Sequence, residues 1–181
     1  DHVKTLVTMA DLTRSAKGLE EALPYLNRAL EVDKNNIEAL LERAATLGDL
    51  RKEKEARVDI ARVNNLVEKH PLALYLEAVL DTREGNTDQA RSLMTETRGA
   101  LDDFPPAIML QGLLALDAGN VEQANSFLGS LVGKAPNSIT ARKLYATAQL
   151  QKGDAEGAFA TLKPIIDAGA ADARVYAIAG S

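Results

Sequence analysis

The sequence predicts an all-α protein made of stacked helical hairpins, and two observations support this. Alanine and leucine dominate its 181 residues, aromatic residues make up only 4%, and there is no tryptophan. Such a composition favours helices over strands, because half-buried sheets are usually built from β-branched and aromatic residues. The second observation is a 34-residue periodicity in alanine, which is typical of a unit made of two helices and their turns.

Two sets of small residues follow this interval along the chain. The first set is Ala22, Ala56, Ala90, Ala124 and Ala158. A large apolar residue follows each of these alanines after four positions. The second set stands twelve positions before the first and comprises Ala10, Ala44, Ala78, Gly112 and Ala146. Small residues at matching points of two helices let their backbones approach closely, as stacked hairpins require.

The turn inside each hairpin has its own signature, seen in "LDTREGNTDQA", "LALDAGNVEQA" and "LQKGDAEGA". A left-handed glycine is predicted to end the first helix in three repeats, at Gly85, Gly119 and Gly153. The next residue is predicted to cap the second helix with its side chain, at Asn86, Asn120 and Asp154. Two glutamines three positions further on, Gln89 and Gln123, complete the pattern of a capping box.

The segment "IMLQGLLALDAGNVEQANSFLGSLVGKAPNS" (108–138) resembles a tetratricopeptide repeat. It has that family's small, turn, apolar and proline residues at Gly112, Gly119, Ala124, Leu128 and Pro136. The resemblance implies an α-solenoid, a right-handed superhelix of 34-residue hairpins forming one array over residues 1–181. Its repeats would be 3–36, 37–70, 71–104, 105–138 and 139–172, with 173–181 as the start of a sixth.

Some positions depart from the family pattern. The second repeat has "DLRKEKEA" where a glycine is expected before the second helix, and Pro71 comes three residues late. Pro24 and Pro164 fall inside predicted second helices, which we expect them to kink or loosen.

Several functions are disfavoured by composition. The net charge is −5 without a basic stripe, which argues against nucleic acid as a partner. No stretch reaches the roughly 18–20 apolar residues of a membrane span, so direct membrane insertion by this fragment is not expected. There are two histidines and no cysteine, and no nucleotide-binding, nucleophile or metalloprotease motif occurs. We therefore expect no enzymatic activity, cofactor or metal.

Binding of a protein or peptide segment is the expected function. In the family, the first helices line a concave face, and the matching residues here are Leu41, Leu72, Tyr75, Val79, Arg83, Met109, Leu113, Leu116, Lys143 and Thr147. The middle ones would form an apolar stripe suited to an amphipathic or extended peptide. The carboxylate clamp of chaperone adaptors is disfavoured, since only Lys143 fits it and Thr147 stands where that clamp has asparagine.

Two alternatives remain for this surface. Arg43, Glu77 and Gln111 occupy a position that is usually buried in the family. The first helices could therefore be rotated, with Leu41, Tyr75 and Met109 in the core and the polar residues in the groove. Alternatively, other parts of a longer protein cover the stripe. For the array as a whole, the second candidate function is a structural spacer without a specific ligand on these repeats.

A narrower resemblance concerns "PLALYLEAVLDTREGNTDQA", "ITARKLYATAQLQKGDAEGAFATLKPII" and "DARVYAIAGS". These segments are similar to tetratricopeptide-repeat lipoproteins of bacterial PEP-CTERM/exosortase systems. The resemblance implies an envelope scaffold linked to exopolysaccharide production or protein sorting, in the periplasm or attached to the outer membrane by a lipid anchor outside this fragment. An adaptor in another secretion complex and a cytoplasmic location are the alternatives. Direct polysaccharide contact has weaker support, because the groove offers only Tyr75 and Tyr145 for stacking on sugars.

Overall fold

A computed structural model describes residues 2–180, which form eleven α-helices and no β-strand. The predicted all-α fold is therefore confirmed for this part of the chain. In chain order the helices are α1 (His2–Lys17), α2 (Leu19–Val32), α3 (Ile37–Asp49), α4 (Glu53–Leu66), α5 (Pro71–Glu84), α6 (Thr87–Glu96), α7 (Pro105–Asp117), α8 (Val121–Lys134), α9 (Ile139–Gln151), α10 (Ala155–Asp167) and α11 (Ala173–Ala179).

The helices form two compact units, residues 1–98 and 99–181. In the first unit, α1 packs on α2, α3 on α4 and α5 on α6, so each pair is a hairpin. The second helix of one hairpin also packs on the first helix of the next, as α2 does on α3 and α4 on α5. The second unit repeats this scheme with the hairpins α7–α8 and α9–α10, followed by α11 on α9 and α10. Each unit is thus a stack of hairpins in sequence order.

The small residues lie where the two helices of a hairpin meet. All five alanines of the first set are fully buried, at 0% exposure, and the large apolar residues four positions later are buried too. Gly112 in α7 shows how close the contact is, because a Cβ atom there would lie 2.5 Å from Cδ2 of Leu128 in α8. The periodic spacing of small residues therefore marks the contact inside each hairpin, as predicted.

The turn glycines are also found as predicted. Gly85, Gly119 and Gly153 have φ angles of 86°, 70° and 86°, in the left-handed region. The amide that follows each glycine donates to a carbonyl five residues earlier; Asn120, for example, donates to Ala115 at 2.9 Å. This is the Schellman arrangement, which satisfies carbonyl groups at the end of the first helix.

The predicted side-chain caps are present in only one of the three turns. Asn86, Asn120 and Asp154 all occupy the N-cap position, but only Asp154 accepts a bond from the first turn, from Gly157 N–H at 2.8 Å. A capping box also needs the N-cap amide to be available to the glutamine three residues later. The backbone bond of the preceding helix already uses that amide, so the capping-box prediction for Gln89 and Gln123 is wrong.

The second repeat closes its turn with an arginine in place of glycine. Arg51 has a φ angle of 60°, and Lys52 N–H donates to the Leu47 carbonyl at 2.9 Å, as at the glycine turns. Pro71 is the first residue of α5, where its missing N–H has no helical partner to lose. The expected disruption at Pro24 and Pro164 does not break either helix, since α2 and α10 continue past these exposed rings.

Gly112→Ala is expected to destabilise the protein by about 1–2 kcal/mol, because the added methyl group would overlap the fully buried Leu128 side chain. Gly133→Ala is the matched control. Gly133 lies in α8 with no atom near its missing Cβ, and alanine there should stabilise by about 0.5 kcal/mol. Urea unfolding of both variants measures the difference. Equal effects of the two substitutions would contradict the close packing at Gly112.

Arg51→Gly is expected to stabilise the protein by about 0.5–1 kcal/mol, because a left-handed conformation is strained for a residue that carries a Cβ atom. Arg51→Ala removes the same charge but keeps the strain, so it should give no comparable gain. Thermal unfolding of the two variants separates backbone strain from charge. A similar rise in Tm for Arg51→Ala would show that the charge, and not the backbone, is responsible.

Candidate functional site

In the first unit, the first helices α1, α3 and α5 carry the predicted site residues from Leu41 to Arg83. Leu41 is buried and belongs to the core cluster that also contains Val7. Leu72 is partly buried and packs against the same cluster. These two leucines therefore hold neighbouring first helices together, and Leu41 offers little surface to a partner.

Tyr75 and Val79 lie one turn apart on α5, and both are half-buried. Burial raises the pKa of the Tyr75 phenol, and the negative charge of Asp49 raises it further, while Arg83 opposes the shift. The phenol therefore stays neutral over the physiological pH range and lies within the field of charged side chains from α3 and α5.

Charged residues on this face are already paired with each other. Arg83 donates through Nη1 to the Gly48 carbonyl at 2.6 Å and through Nη2 to Asp49 at 2.9 Å. Arg14 of α1 binds Asp11 at 3.0 Å and Glu42 of α3 at 3.1 Å. Each arginine thus connects two neighbouring first helices. The first-helix face of the first unit is largely polar and internally bonded.

In the second unit, α7 presents an apolar stripe formed by Met109, Leu113 and Leu116. Met109 and Leu116 are partly buried against the core around Leu128, whereas Leu113 is 37% exposed. Their spacing of four and then three residues places the three side chains on one side of α7. This stripe, named here the α7 stripe, is the apolar part of the predicted site in this unit.

Lys143 and Thr147 lie on α9, which packs beside α7. The Lys143 ammonium group binds Asp172 Oδ2 at 2.9 Å. That hydrogen bond, together with one from the Val175 backbone amide, lowers the pKa of Asp172. Thr147 donates back to the Lys143 carbonyl at 2.9 Å. Both predicted residues are half-buried, and their polar groups already have partners.

The polar residues that suggested rotated helices contact second helices in the first unit. Arg43 donates to both carboxylate oxygens of the buried Asp59 at 2.8 and 2.7 Å, and to Asn27 at 2.9 Å. Glu77 lies 3.8 Å from Arg57 of α4, and burial raises the pKa of the Glu77 carboxyl group. The alternative with rotated first helices requires a buried Leu41, and Leu41 is buried. It also requires Arg43 and Glu77 to face the groove, but both pair with residues of second helices.

These ion pairs between repeats were missed from the sequence. Arg57 binds Asp81 at 2.7 Å and Glu84 at 3.0 Å, in addition to Glu77, and so joins α4 to α5. In the second unit a neutral contact takes this place, since Asn125 of α8 donates to the Ala148 carbonyl of α9 at 3.1 Å. The sequence signal that could have predicted these ion pairs was a charged residue in one repeat with residues of opposite charge in the next repeat.

The likeness to known proteins agrees with this geometry. Residues 115–180 match a protein-family model described as tetratricopeptide repeat. The fold is that of tetratricopeptide-repeat solenoids. A tetratricopeptide repeat protein from Parabacteroides merdae ATCC 43184 is 20% identical, with a TM-score of 0.69, over 98% of this chain and 70% of its own.

Two further solved structures show the same fold. PilF from Pseudomonas aeruginosa is 14% identical, with a TM-score of 0.81, over 98% of this chain and 81% of its own. A thermophilic tetratricopeptide repeat protein from Thermus thermophilus is 15% identical, with a TM-score of 0.73, over 98% of this chain and 97% of its own. No curated protein matches the sequence.

Among residues 2–180, no cluster of three or more histidine, cysteine or carboxylate side chains could hold a metal ion. None of the helices described there is both long enough and apolar enough to cross a bilayer.

Leu41→Ala and Leu113→Ala are expected to differ sharply in their effect on stability. Leu41 is buried, so its truncation leaves a cavity and should cost about 2–4 kcal/mol. Leu113 is partly exposed, so the same change should cost less than about 1 kcal/mol. Chemical unfolding measures both values. A large loss for Leu113→Ala would place that leucine in the core and not on a binding face.

Proposed function

We propose that this chain is a non-enzymatic scaffold that binds a protein segment along its first helices. Support comes from the tetratricopeptide-repeat fold, which implies protein partners, and from one observation in particular. Leu113 is 37% exposed between two half-buried apolar neighbours on the same side of α7. When a partner covers an apolar side chain held in this way, the free energy of the complex is lowered.

The α7 stripe favours a segment that has an apolar side. Met109 supports this proposal because its flexible thioether side chain adapts to partners of different shape. An amphipathic helix or an extended strand with alternating apolar residues would both place apolar groups along the stripe. Tyr75 and Val79 would be the corresponding contacts on the first unit, where the phenol can also donate a hydrogen bond.

Charged residues of the predicted site would have a different role. Arg83 and Lys143 already bind carboxylates, so a partner that contacted them would add to an existing pair or replace it. Partly exposed ion pairs contribute little net free energy, typically about 0–1 kcal/mol. These residues are therefore better suited to orienting a partner than to supplying its affinity. Leu41, being buried, is not part of the proposed contact surface.

The setting we propose is a larger bacterial envelope protein, in which the five repeats act as one array linked to exopolysaccharide production or protein sorting. This part of the proposal rests on the sequence resemblance to lipoproteins of PEP-CTERM/exosortase systems. A structural spacer is the second candidate function. The observation that favours it is the internal pairing of the first unit, where Arg14 and Arg83 each bind an acceptor on a neighbouring first helix.

A photo-crosslinking residue at position 113 tests the binding function in cells that contain the parent protein. Gln123, exposed on the second helix α8, is the control position. We expect position 113 alone to capture a defined segment, and we expect Leu113→Lys to abolish capture in a pull-down with unchanged Tm. Gln123→Lys should retain capture. Equal, diffuse crosslinking from both positions would contradict the proposal and favour the spacer.

A further inference from the structure

An open cavity of about 360 Å³ lies in the first unit between α2, α3 and α4. It is named here the α2–α4 cavity, and none of the first-helix residues predicted to bind a partner lines it. Ligand pockets typically measure about 300–1,000 Å³, so this cavity is large enough for one small ring or one side chain. Its apolar wall includes Leu23 of α2, Leu47 of α3 and Val58 of α4. Val58 is 67% exposed, although its counterpart in the next repeat is the polar Ser92.

The cavity is present because two leucines occupy positions that are bridged at the next contact between hairpins. Leu23 stands at the repeat position of Arg57, and Leu47 stands at that of Asp81. Arg57 binds Asp81 at 2.7 Å across the α4–α5 contact. Leucine is shorter than arginine and forms no hydrogen bond through its side chain, so the space beside Leu23 stays open.

A second wall of the cavity is a network of polar side chains. Arg43 of α3 donates to both carboxylate oxygens of Asp59 in α4 and to the side-chain oxygen of Asn27 in α2. Asp59 is only 2% exposed, so packing holds this network in place. Arg43 uses three of its five N–H groups, and the Asn27 amide nitrogen has no acceptor among residues 2–180. This wall therefore offers free donors and, on the Asp59 carboxylate, further lone pairs.

Two exposed side chains of opposite charge also line the cavity. Lys52 is the N-cap residue of α4, and Glu55 lies in the first turn of that helix. Within residues 2–180 neither side chain forms a hydrogen bond or an ion pair. Together with Arg43 and Asp59, they give the lining two positive and two negative groups. The carboxylates would repel an anion, and Lys52 and Arg43 would repel a cation, so the lining favours a neutral ligand.

Hydroxyl groups match this lining better than an aliphatic group does. A hydroxyl both donates and accepts hydrogen bonds, so it can pair with the Asn27 amide as well as with the Glu55 carboxylate. An aliphatic side chain from a partner would cover Leu23 but leave these polar groups without partners, which costs free energy in a covered site. A ring that carries several hydroxyl groups and also has a C–H face can satisfy both walls.

We propose that the α2–α4 cavity binds one neutral sugar ring, with hydroxyl groups of the ring bonded to Asn27 and Glu55 and its C–H face against Leu23 and Val58. No aromatic side chain is among the described residues that line the cavity, so affinity for a single ring should be weak, with a Kd of about 1–10 mM. The site is separate from the first-helix surface of the proposed function, so either proposal can fail without the other.

NMR titration of the ¹⁵N-labelled 181-residue chain tests this site. The neutral probes are the methyl α-D-glycosides of glucose, mannose and galactose. The methyl glycoside of glucuronic acid serves as an anionic probe, and N-acetyl-leucine amide serves as an aliphatic one. We expect at least one neutral glycoside to shift the side-chain amide signal of Asn27 in a saturable way. The anionic and aliphatic probes should bind at least about tenfold more weakly, because carboxylates repel the first and the second leaves polar groups unpaired.

Val58→Arg should weaken binding of that glycoside at least about fivefold, because the long side chain can lie along the apolar wall and take the place of the ring. Ser92→Arg, the same substituent at the same repeat position of α6, is the matched control. Asn27→Ala removes the amide donor and should weaken binding similarly, with Gln123→Ala on α8 as its control. All four positions are exposed, so Tm should change little.

Several results would overturn the proposal. They are the absence of a saturable shift with all three neutral glycosides, and equal binding by the Val58→Arg and Ser92→Arg chains. Tighter binding of the anionic probe would show that the cavity selects charge. Binding of N-acetyl-leucine amide as tight as that of the glycosides would assign the cavity to a side chain of a protein partner.

Discussion

Close contact between the two helices of each hairpin is the constraint on which this structure depends. The periodic alanines of the second helices are completely buried, and at Gly112 there is no room even for a methyl group. Because the two helix axes are close, the large apolar residue one turn after each alanine also packs against the partner helix. It is buried there as well. The larger residues can therefore vary between leucine, isoleucine and methionine, while the small residues vary only between alanine and glycine.

Contacts between hairpins follow a different rule and tolerate more variety. The α4–α5 contact uses Arg57 with three acidic side chains, whereas the α8–α9 contact uses an amide and a backbone carbonyl. Inside the α3–α4 hairpin, Arg43 and the buried Asp59 form a bidentate pair, and removing either partner would leave a charge without compensation. Such pairs add little net stability over apolar packing. Contacts between hairpins therefore include polar groups of different kinds, an ion-pair cluster in one unit and a neutral amide in the other.

The sequence predicted those parts of the fold that depend on a residue's own size or backbone freedom. Small residues at a fixed period and glycines at the turns can be recognised one position at a time. The arginine in the left-handed turn at position 51 could not, because the surrounding helices impose a conformation that the residue itself disfavours. The capping boxes failed for a related reason, since a backbone bond from the previous helix had already taken the amide that the pattern requires.

The candidate site was harder to predict, because two leucines of equal hydrophobicity have different roles. Leu41 is buried in the core cluster of the first unit and Leu113 is 37% exposed, and this difference depends on packing neighbours that the local sequence does not reveal. Charged residues at positions where the family is apolar suggested a rotated helix. In the structure these charges are neutralised across the helix contact, so the helices need not rotate to expose them.

The pattern of exposure across repeats separates a binding face from a stacking face. Counterparts of Leu12, such as Thr46, Leu80 and Ala148, are buried in every later repeat, so packing between hairpins covers this position. Counterparts of Leu113, namely Asp11, Ala45, Val79 and Thr147, are all partly exposed, so the fold itself leaves this position open. Packing between hairpins does not bury an apolar residue at such a position. Its burial requires a partner outside the stack of hairpins, which is why the α7 stripe is a candidate binding surface.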